Sequence, residues 1–335
     1  MMVGTLTMAV MPSYRHIGIT APLLILLARL VQGFAVGGEF GSATAFMVEH
    51  SDARRGYYAS WQFASQGLAA IMAAAFGSLL TAWLPQPALE SWGWRIPFVF
   101  GLLVGPVGYY IRSHLDETPE FLATRLAKKA SAPGVSFSNQ WLNLLLAVGI
   151  VAQSTVGVYV CLATLHADIR GQATASPGHR IVRCRRAQRR IAVHLLAVDR
   201  RALRPAGTHP HMLATSIFMG VTIYPMFAWL QAHPTVTSLV VLQAAAGILK
   251  AAYSGPMPAL MSEIFPTRVR STGLSIGYVL GVTLFGGFAP TIVEAFIHFT
   301  GDKLAPSYYV LLAAVLSGVS LAIVAWRMRS ARRTA

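Results

Sequence analysis

The chain has 335 residues, of which 55% are hydrophobic and only 12% are charged. Soluble globular domains carry about 25% charged residues, so this composition excludes an ordinary water-soluble domain and indicates a protein of the lipid bilayer. The formal net charge is +15. In a membrane protein with many spans, such an excess indicates basic cytoplasmic loops, and no nucleic-acid partner is expected. The two cysteines, Cys161 and Cys184, provide no disulfide framework.

Eight segments are long and apolar enough to cross a bilayer as helices, for which about twenty residues are needed. The first contains only Arg29 and Glu39 as charged residues, and most of the others contain none. Met1 to Met11 is a ninth apolar segment, but it has about half the required length. The predicted spans, in chain order, are 21–48, 57–84, 96–112, 141–165, 210–231, 235–262, 271–293 and 304–326.

Lysine and arginine are concentrated in four stretches, which the positive-inside rule assigns to the cytoplasm together with the C-terminus. The alternation of sides fails only in the middle of the chain. Five spans separate the loop at Arg54 from the loop at Arg268, so these two basic loops would face opposite sides of the membrane. One crossing is therefore missing from this count, and its place lies between His166 and His209, where no apolar span is found. The four basic stretches are 54–55, 112–129, 268–270 and 327–333.

Two of the basic loops resemble each other. The loop from Glu49 to Gly56 and the loop from Glu263 to Gly273 each carry an acid at a helix end, then arginines, then a glycine that opens the next helix. Internal duplication of this kind is typical of secondary transporters, whose two helical halves enclose a site near the middle of the bilayer.

Several motifs together resemble the major facilitator superfamily, and within it the metabolite:proton symporters, which include carriers of citrate, 2-oxoglutarate, shikimate and proline or betaine. Two further stretches, 285–290 and 300–303, are most similar to the citrate-type members. No single motif decides the resemblance, which is specific as a set. The motifs lie at Arg29 to Glu39, Arg54 to Gln62, Trp92 to Phe98, Asp116 to Phe121 and Glu263 to Gly273.

The resemblance implies an all-α, polytopic transmembrane helical bundle of the major facilitator type. The family has twelve spans, so the resemblance makes this chain an incomplete bundle of about eight full spans and a partial one. It also implies four regions. These are an N-terminal helical half (1–112, the end of span 3 to span 6), a cytoplasmic linker (113–140), a C-terminal helical half (141–329) and a cytoplasmic tail (330–335).

The segment from His166 to Met212 stands where the family has span 8, and it contains neither that span nor the expected basic loop. Nine of the 28 residues from Gly178 to Pro205 are arginine. We interpret the segment as an aberrant, translated wrong reading frame, expected to form a loop or a surface helix. A genuine basic cytoplasmic loop is the alternative. A patch for nucleic acid or anionic lipid is less favoured, because no aromatic residues are interleaved.

By resemblance, the chain is a proton-coupled symporter of organic acids, such as citrate or other di- and tricarboxylates, in the inner membrane, working by alternating access. Absence of the first two spans is expected to impair transport. A symporter of zwitterions such as proline or betaine, and a non-transporting membrane remnant, remain as alternatives. No Walker loop, nucleophile elbow or metal-ligand spacing is present, so no enzyme activity, cofactor or metal is expected. The oligomeric state is left open.

Charged and polar residues inside the predicted spans are the candidate site residues, because a charge at bilayer depth normally faces a partner or a wet cavity. Each also has a structural interpretation, as an interhelical bond or, for a lysine, a head group that reaches water. Three are candidates for proton coupling: Arg29, Glu39 and Glu294. Six are candidates for substrate binding: Gln62, Gln66, Gln153, Tyr159, Gln243 and Lys250.

Two further groups have expected structural or gating roles. Gly33, Gly37 and Gly41 recur every fourth residue and therefore form a flat helix-packing strip. The residues of the two similar loops are expected to form a cytoplasmic gate, whose ion pairs hold one end state of a rocking motion. Exposed pairs of this kind are worth about 0–1 kcal/mol each, which suits a switch that must open. The gate residues are Glu49, Arg54, Arg55, Glu263, Arg268 and Arg270.

Overall fold

A computed structural model describes residues 1–49, 55–114, 140–173, 208–233, 235–302 and 304–334. Every regular element in these residues is helical. The helices are α1 (Met2–Val10), α2 (Tyr14–Ile17), α3 (Thr20–Glu49), α4 (Arg55–Trp83), α5 (Gln86–Ser91), α6 (Ile96–Gly101), α7 (Val104–His114), α8 (Trp141–Ala173), α9 (Thr208–Ala232), α10 (Val236–Ser254), α11 (Met257–Ile264), α12 (Arg270–Val282), α13 (Ala289–Thr300) and α14 (Ala305–Thr334).

The eight predicted spans are confirmed, because eight helical segments of the described residues are long and apolar enough to cross a membrane. The short apolar segment at the start forms α1, of nine residues. The helical segments are Thr20–Glu49, Gly56–Trp83, Gly93–Ile111, Trp141–Val160, His209–Ala232, Thr237–Ile264, Arg270–Thr300 and Ala305–Ser330.

Three of these spans are interrupted. In the third, a 3₁₀ turn at Gly93–Arg95 precedes α6, and a short turn separates α6 from α7. Gly255 and Pro256 separate α10 from α11, since a proline lacks an N–H group and its ring clashes with the preceding turn. Between α12 and α13 lies a π-helical segment, Thr283–Gly287.

The chain divides into two units. The first comprises residues 1–42 and 65–133, and the second comprises 43–64 and 134–335. In the first unit, α1 packs closely against α3, because a Cβ atom placed on Gly4 would lie 2.8 Å from the carbonyl oxygen of Ala28. Gln32 Nε2 donates to Thr5 Oγ1 at 3.0 Å, and Arg95 Nη2 donates to the Met11 carbonyl at 2.7 Å. These two bonds tie α1 and the turn that follows it to the remainder of the unit.

Helix α8 is the centre of the second unit. Within its span Trp141–Val160, 72% of the residues in an apolar 18-residue stretch are buried. One apolar cluster surrounds its first turns and includes Ile150, Met257 and Leu321. A second cluster surrounds Val156 and includes Met219. The core therefore extends along α8 for most of its spanning length.

Three glycines allow α12 and the π segment to approach α8 closely. A Cβ atom on Gly277 would lie 2.8 Å from Ala147 Cβ, and one on Gly281 would lie 2.7 Å from Val151 Cβ. One on Gly286 would lie 2.5 Å from the side chains of Thr155 and Tyr159. The three glycines form a seam along α8. Gly277 and Gly281 are four residues apart, whereas Gly281 and Gly286 are five residues apart. The extra residue of the π segment keeps Gly286 on the side that faces α8.

Parts of the sequence predictions lie outside the described residues. These are most of the linker 113–140 and, in the arginine-rich segment 166–212, residues 174–207. The flanking residues 166–173 continue α8, and residues 208–212 begin α9. The reading-frame hypothesis therefore stays a hypothesis, and the predicted division into halves at 1–112 and 141–329 stays a prediction.

Candidate functional site

The similar loops contribute one ion pair to the second unit. Arg270 Nη1 donates to Glu49 Oε1 at 3.0 Å, and the two side chains are only 14% and 10% exposed. The same guanidinium donates from Nε to the Ser262 carbonyl and from Nη2 to Thr267 Oγ1, each at 3.1 Å. All three nitrogens of Arg270 thus have an acceptor, which fixes the direction of the charge that faces Glu49.

A tight turn holds Arg270 in this position. Phe265 is 2% exposed, and a Cβ atom on Gly273 would lie 2.4 Å from Phe265 Cδ1. The aromatic ring therefore packs directly on the backbone at Gly273, just inside α12. The corresponding glycine of the other loop, Gly56, has open space around its Cα. The two loops are alike in sequence pattern, but of their two glycines, Gly56 and Gly273, only Gly273 is closely packed in the described residues.

Glu263, the acid of the second loop, lies beside the start of α9. Its Oε2 atom is 3.9 Å from His209 Nε2, and the neighbouring His211 Nε2 is 3.2 Å from the Ala252 carbonyl. Of the other predicted gate residues, Arg54 lies outside the described residues, as do the side chains of Arg55 and Arg268. Among the described side chains, the pairs at this end are thus Glu49 with Arg270 and Glu263 with His209.

Gln153, a predicted substrate-binding residue, is buried between helices and is 1% exposed. Ser216 on α9 donates to Gln153 Oε1 at 2.6 Å, and Gln153 Nε2 donates to Met219 Sδ at 3.4 Å. The backbone N–H of Gln153 donates to Ser317 Oγ on α14 at 3.3 Å. In this conformation Gln153 therefore links α8 to α9 and α14.

The same buried layer continues towards α10. Tyr253 O–H donates to the Ile150 carbonyl at 2.9 Å. Ser154 and Ser254 share a hydrogen bond of 2.7 Å between their hydroxyl oxygens. Bonds of this kind are a principal means by which helices associate in a bilayer, where lipid tails compete for apolar contacts. Four helices of the second unit are thus linked to each other through α8.

The other substrate-binding candidates occupy more open positions. Gln62, Gln243 and Lys250 are half-buried, whereas Gln66 is exposed and Tyr159 lies at the margin beside Gly286. Gln243 and Lys250 lie two helical turns apart on α10 and so share one side of that helix. Their role in substrate binding stays a prediction.

The three candidates for proton coupling lie on exposed parts of their helices. Arg29 Nη1 is 3.4 Å from Gln32 Oε1, one turn along α3. Glu39 on α3 and Glu294 on α13 are exposed. In the described part of the chain, none of the three side chains bonds to another of the three.

In the predicted packing strip of α3, Gly37 and Gly41 are buried, and Gly33 is exposed with open space around it. The strip's role in helix packing stays a prediction. The residues that the structure describes contain no group of three or more His, Cys, Asp or Glu side chains that would hold a metal ion.

Comparison with known proteins relates these helices to a family. Residues 1–147 match the family model described as sugar (and other) transporter. Over 324 residues, the chain is 32% identical to a citrate-proton symporter of Klebsiella pneumoniae, an alignment that covers 94% of this chain and 71% of that protein. The chain belongs to the metabolite:proton symporter family of the major facilitator superfamily.

Further relatives have two kinds of substrate in their names. A citrate-proton symporter of Salmonella typhi is 30% identical, over 97% of this chain and 75% of that protein. A glycine betaine/proline/ectoine/pipecolic acid transporter of Dickeya dadantii is 28% identical, over 94% of this chain and 65% of its own length. Family membership and the eight spans confirm a multi-pass transmembrane bundle that is not an enzyme.

Sequence reasoning missed several residues of the buried polar layer in this family member, namely Ser216, Ser254 and Ser317. Tyr253 was missed as well. A signal was available, because each is a hydroxyl-bearing residue inside a predicted span. Such residues normally bond across helices or to their own backbone, and only the packed structure distinguishes these two cases.

Proposed function

We propose that this chain is a proton-coupled symporter of organic anions, with di- or tricarboxylates such as citrate as substrates. The observation that carries the proposal is the 32% identity to a citrate-proton symporter over 94% of the chain. A second citrate-proton symporter follows at 30%, whereas the relatives named for betaine or proline are 27–29% identical. The citrate-type motifs at 285–290 and 300–303 favour the same substrate class.

Lys250 is the proposed anion-binding cation. It is half-buried inside the span Thr237–Ile264, where a charged side chain costs at least about 2.5 kcal/mol in insertion experiments and normally has a function. An ammonium group attracts a substrate carboxylate, and Gln243 on the same side of α10 offers an amide to the same ligand. An anion with several carboxylates gains more from this charge than a zwitterion does.

The Glu49–Arg270 pair is the proposed gate of alternating access. In the conformation described here the pair is closed and largely shielded from water. When Glu49 withdraws, Arg270 retains the Ser262 carbonyl and Thr267 Oγ1 as acceptors. The Arg270 guanidinium therefore remains hydrogen-bonded in the opened state. This reduces the free-energy difference between the closed and opened states. Glu39, Glu294 and Arg29 are the proposed groups for proton coupling.

Uptake by the whole chain in proteoliposomes tests the proposal. Labelled citrate, 2-oxoglutarate, betaine and proline are each offered with an inward proton gradient, with and without a protonophore. We expect citrate uptake that the protonophore abolishes and that Lys250→Met strongly lowers. Lys250→Arg retains part of the uptake, and Lys128→Met, which removes a lysine from the predicted cytoplasmic linker, leaves it unchanged.

Two outcomes lead to the alternatives. Uptake of betaine or proline that excess citrate does not inhibit identifies a zwitterion carrier, as the Dickeya dadantii relative favours. Absence of uptake for all four compounds, with correctly inserted protein, identifies a membrane protein that does not transport them on its own. A reporter fused to the C-terminus tests the proposed inner-membrane orientation, in which this end is cytoplasmic.

A further inference from the structure

We propose that the end of the second unit where α8 begins and α14 ends binds the phosphate headgroup of an anionic phospholipid. Arg327, which Asn143 positions, contacts the phosphate, and Arg329, on another side of α14, adds to the positive potential of this helix end. The site is distinct from the residues proposed for transport, and it does not depend on the transported substrate.

The first observation is a hydrogen-bonded chain across the two helices. Arg327 Nη1 on α14 donates to Asn143 Oδ1 on α8 at 2.8 Å, and Asn143 Nδ2 donates to Gln140 Oε1 at 2.6 Å. The side-chain oxygens of Asn143 and Gln140 therefore both accept hydrogen bonds from within the protein. A guanidinium has five N–H donors, and within the described residues Arg327 uses one of them. The arrangement retains donors, which are the groups that a phosphate needs.

The second observation is the local charge. Arg327 and Arg329 are followed by Arg332 and Arg333, and α14 contains no Asp or Glu. Helix α8 contains no acid before Asp168. Basic residues at a helix C-terminus also complement the helix dipole, and that alone would explain them. It does not explain why one guanidinium is held by a side chain of a second helix, as Asn143 holds Arg327.

The third observation places this cluster at the level of the headgroups. Trp141, the first residue of α8, is 63% exposed, and Trp326, directly before Arg327, is 70% exposed. Tryptophan is enriched where a membrane protein crosses the boundary between lipid and water. Helix α14 has 30 residues. Such a helix is about 45 Å long, which exceeds the hydrocarbon core of about 30 Å, so its last turns extend beyond it.

These observations commit the site to a lipid rather than to a soluble anion. Trp326 directly precedes Arg327 in α14, and Trp141 lies two residues before Asn143 in α8, so the exposed apolar surface that acyl chains need lies close to the Asn143–Arg327 bond. Anionic lipids attract juxtamembrane arginines with a free energy that corresponds to about a five-fold change in affinity for each residue. A bound headgroup would bridge α14 and α8 at the place where Asn143 already connects them.

Spin-labelled lipids measure this binding on the whole chain in vesicles of phosphatidylcholine. The fraction of immobilised label is compared for phosphatidylglycerol and phosphatidylcholine, in the wild type and in Arg327→Gln, Arg329→Gln and Asn143→Ala. Lys303→Gln is the matched control, because it removes one positive charge near the other end of α14. Arg329→Gln changes an exposed side chain, so this variant is expected to fold even if another variant does not.

We expect the wild type to prefer phosphatidylglycerol, and each arginine variant to lower its relative affinity about five-fold. Asn143→Ala should also lower it, although the charge is unchanged, and Lys303→Gln should retain the wild-type preference. Equal affinity for the two lipids in the wild type would overturn the proposal. So would an Asn143→Ala variant that equals the wild type, since diffuse charge would then suffice. Displacement of the label by millimolar inorganic phosphate would show that the site accepts a soluble anion as well, and would overturn the assignment to a lipid.

Discussion

The spans Trp141–Val160 and Gly56–Trp83 have almost equal mean hydropathy. In an apolar 18-residue stretch of each span, however, 72% of the residues are buried in the first and none in the second. Both also contain glycines. On α4, Gly67 and Gly77 have open space around them, whereas the glycines of α12 and the π segment contact α8 at van der Waals limits. The comparison shows that hydropathy places a helix in the bilayer but does not decide which helix becomes the core. Small residues that meet a partner, and hydroxyl or amide groups that bond across helices, make that selection.

The largest expected effect comes from filling the glycine seam. Gly281→Leu would place side-chain atoms where Val151 Cβ already lies, 2.7 Å from an added Cβ atom. We expect a loss of about 3 kcal/mol in the free energy of unfolding, from overpacking against a rigid neighbouring helix. Denaturant unfolding in detergent micelles measures it. Gly67→Leu is the matched control on α4 and is expected to be neutral or slightly stabilising. An equal loss in both variants would contradict the difference between the two helices.

Removal of the amide that links α8 to α9 and α14 should have the next largest effect. Gln153→Ala removes the side-chain bonds to Ser216 and Met219 and leaves a cavity in the core, while Ser216 keeps the Ala314 carbonyl as an acceptor. The expected loss is about 2 kcal/mol in the free energy of unfolding. Gln66→Ala, on the exposed part of α4, should change it by less than about 0.5 kcal/mol. If instead Gln153→Ala leaves stability unchanged and raises the KM for the substrate, Gln153 is a ligand residue, as its sequence position suggested.

The ion pair of the two similar loops should show a measurable coupling. A double-mutant cycle with Glu49→Gln and Arg270→Gln is expected to give about 1–2 kcal/mol, between the values for exposed and for buried pairs. The matched cycle combines Glu263→Gln with Arg270→Gln. It should give a smaller coupling, because the partner of Glu263 is His209. Thermal unfolding at low and high salt measures both cycles. A larger coupling for Glu263 would reassign the gate.

The smallest expected effect concerns the π segment. Tyr309 O–H donates to the Phe285 carbonyl at 2.9 Å, inside the irregular turn. Tyr309→Phe should lower the free energy of unfolding by about 1 kcal/mol, the net contribution of one hydrogen bond. Its neighbour Tyr308 donates to Asp302 at an exposed position, so Tyr308→Phe should change it by less than about 0.5 kcal/mol. The same unfolding assay compares the two, and the reverse order would show that Tyr309 does not stabilise the segment.

The sequence predicted the spans well, because a run of about twenty uncharged residues has few alternatives in a cell other than a bilayer. It also grouped Glu49 and Arg270 as gate residues from the similarity of two loops. It did not predict that these two form the pair, since that depends on how the loops approach in space. An interhelical bond was one interpretation of Gln153, but its partners were not predicted, and the π segment was missed, for the same reason. Both are fixed by residues of other helices, such as Ser216 and Tyr309.

The π segment also has a consequence for the residues that follow it. Each residue of an α-helix turns the chain by about 100°, so one extra residue changes the rotational phase of everything downstream by that amount. Glu294 lies eight residues after Gly286, beyond the π segment and the turn at Phe288, so it does not point in the direction it would have on an unbroken α-helix. Thr155 and Tyr159, which pack against Gly286, and Tyr309, which bonds to the Phe285 carbonyl, hold the segment that orients a carboxylate proposed to exchange protons.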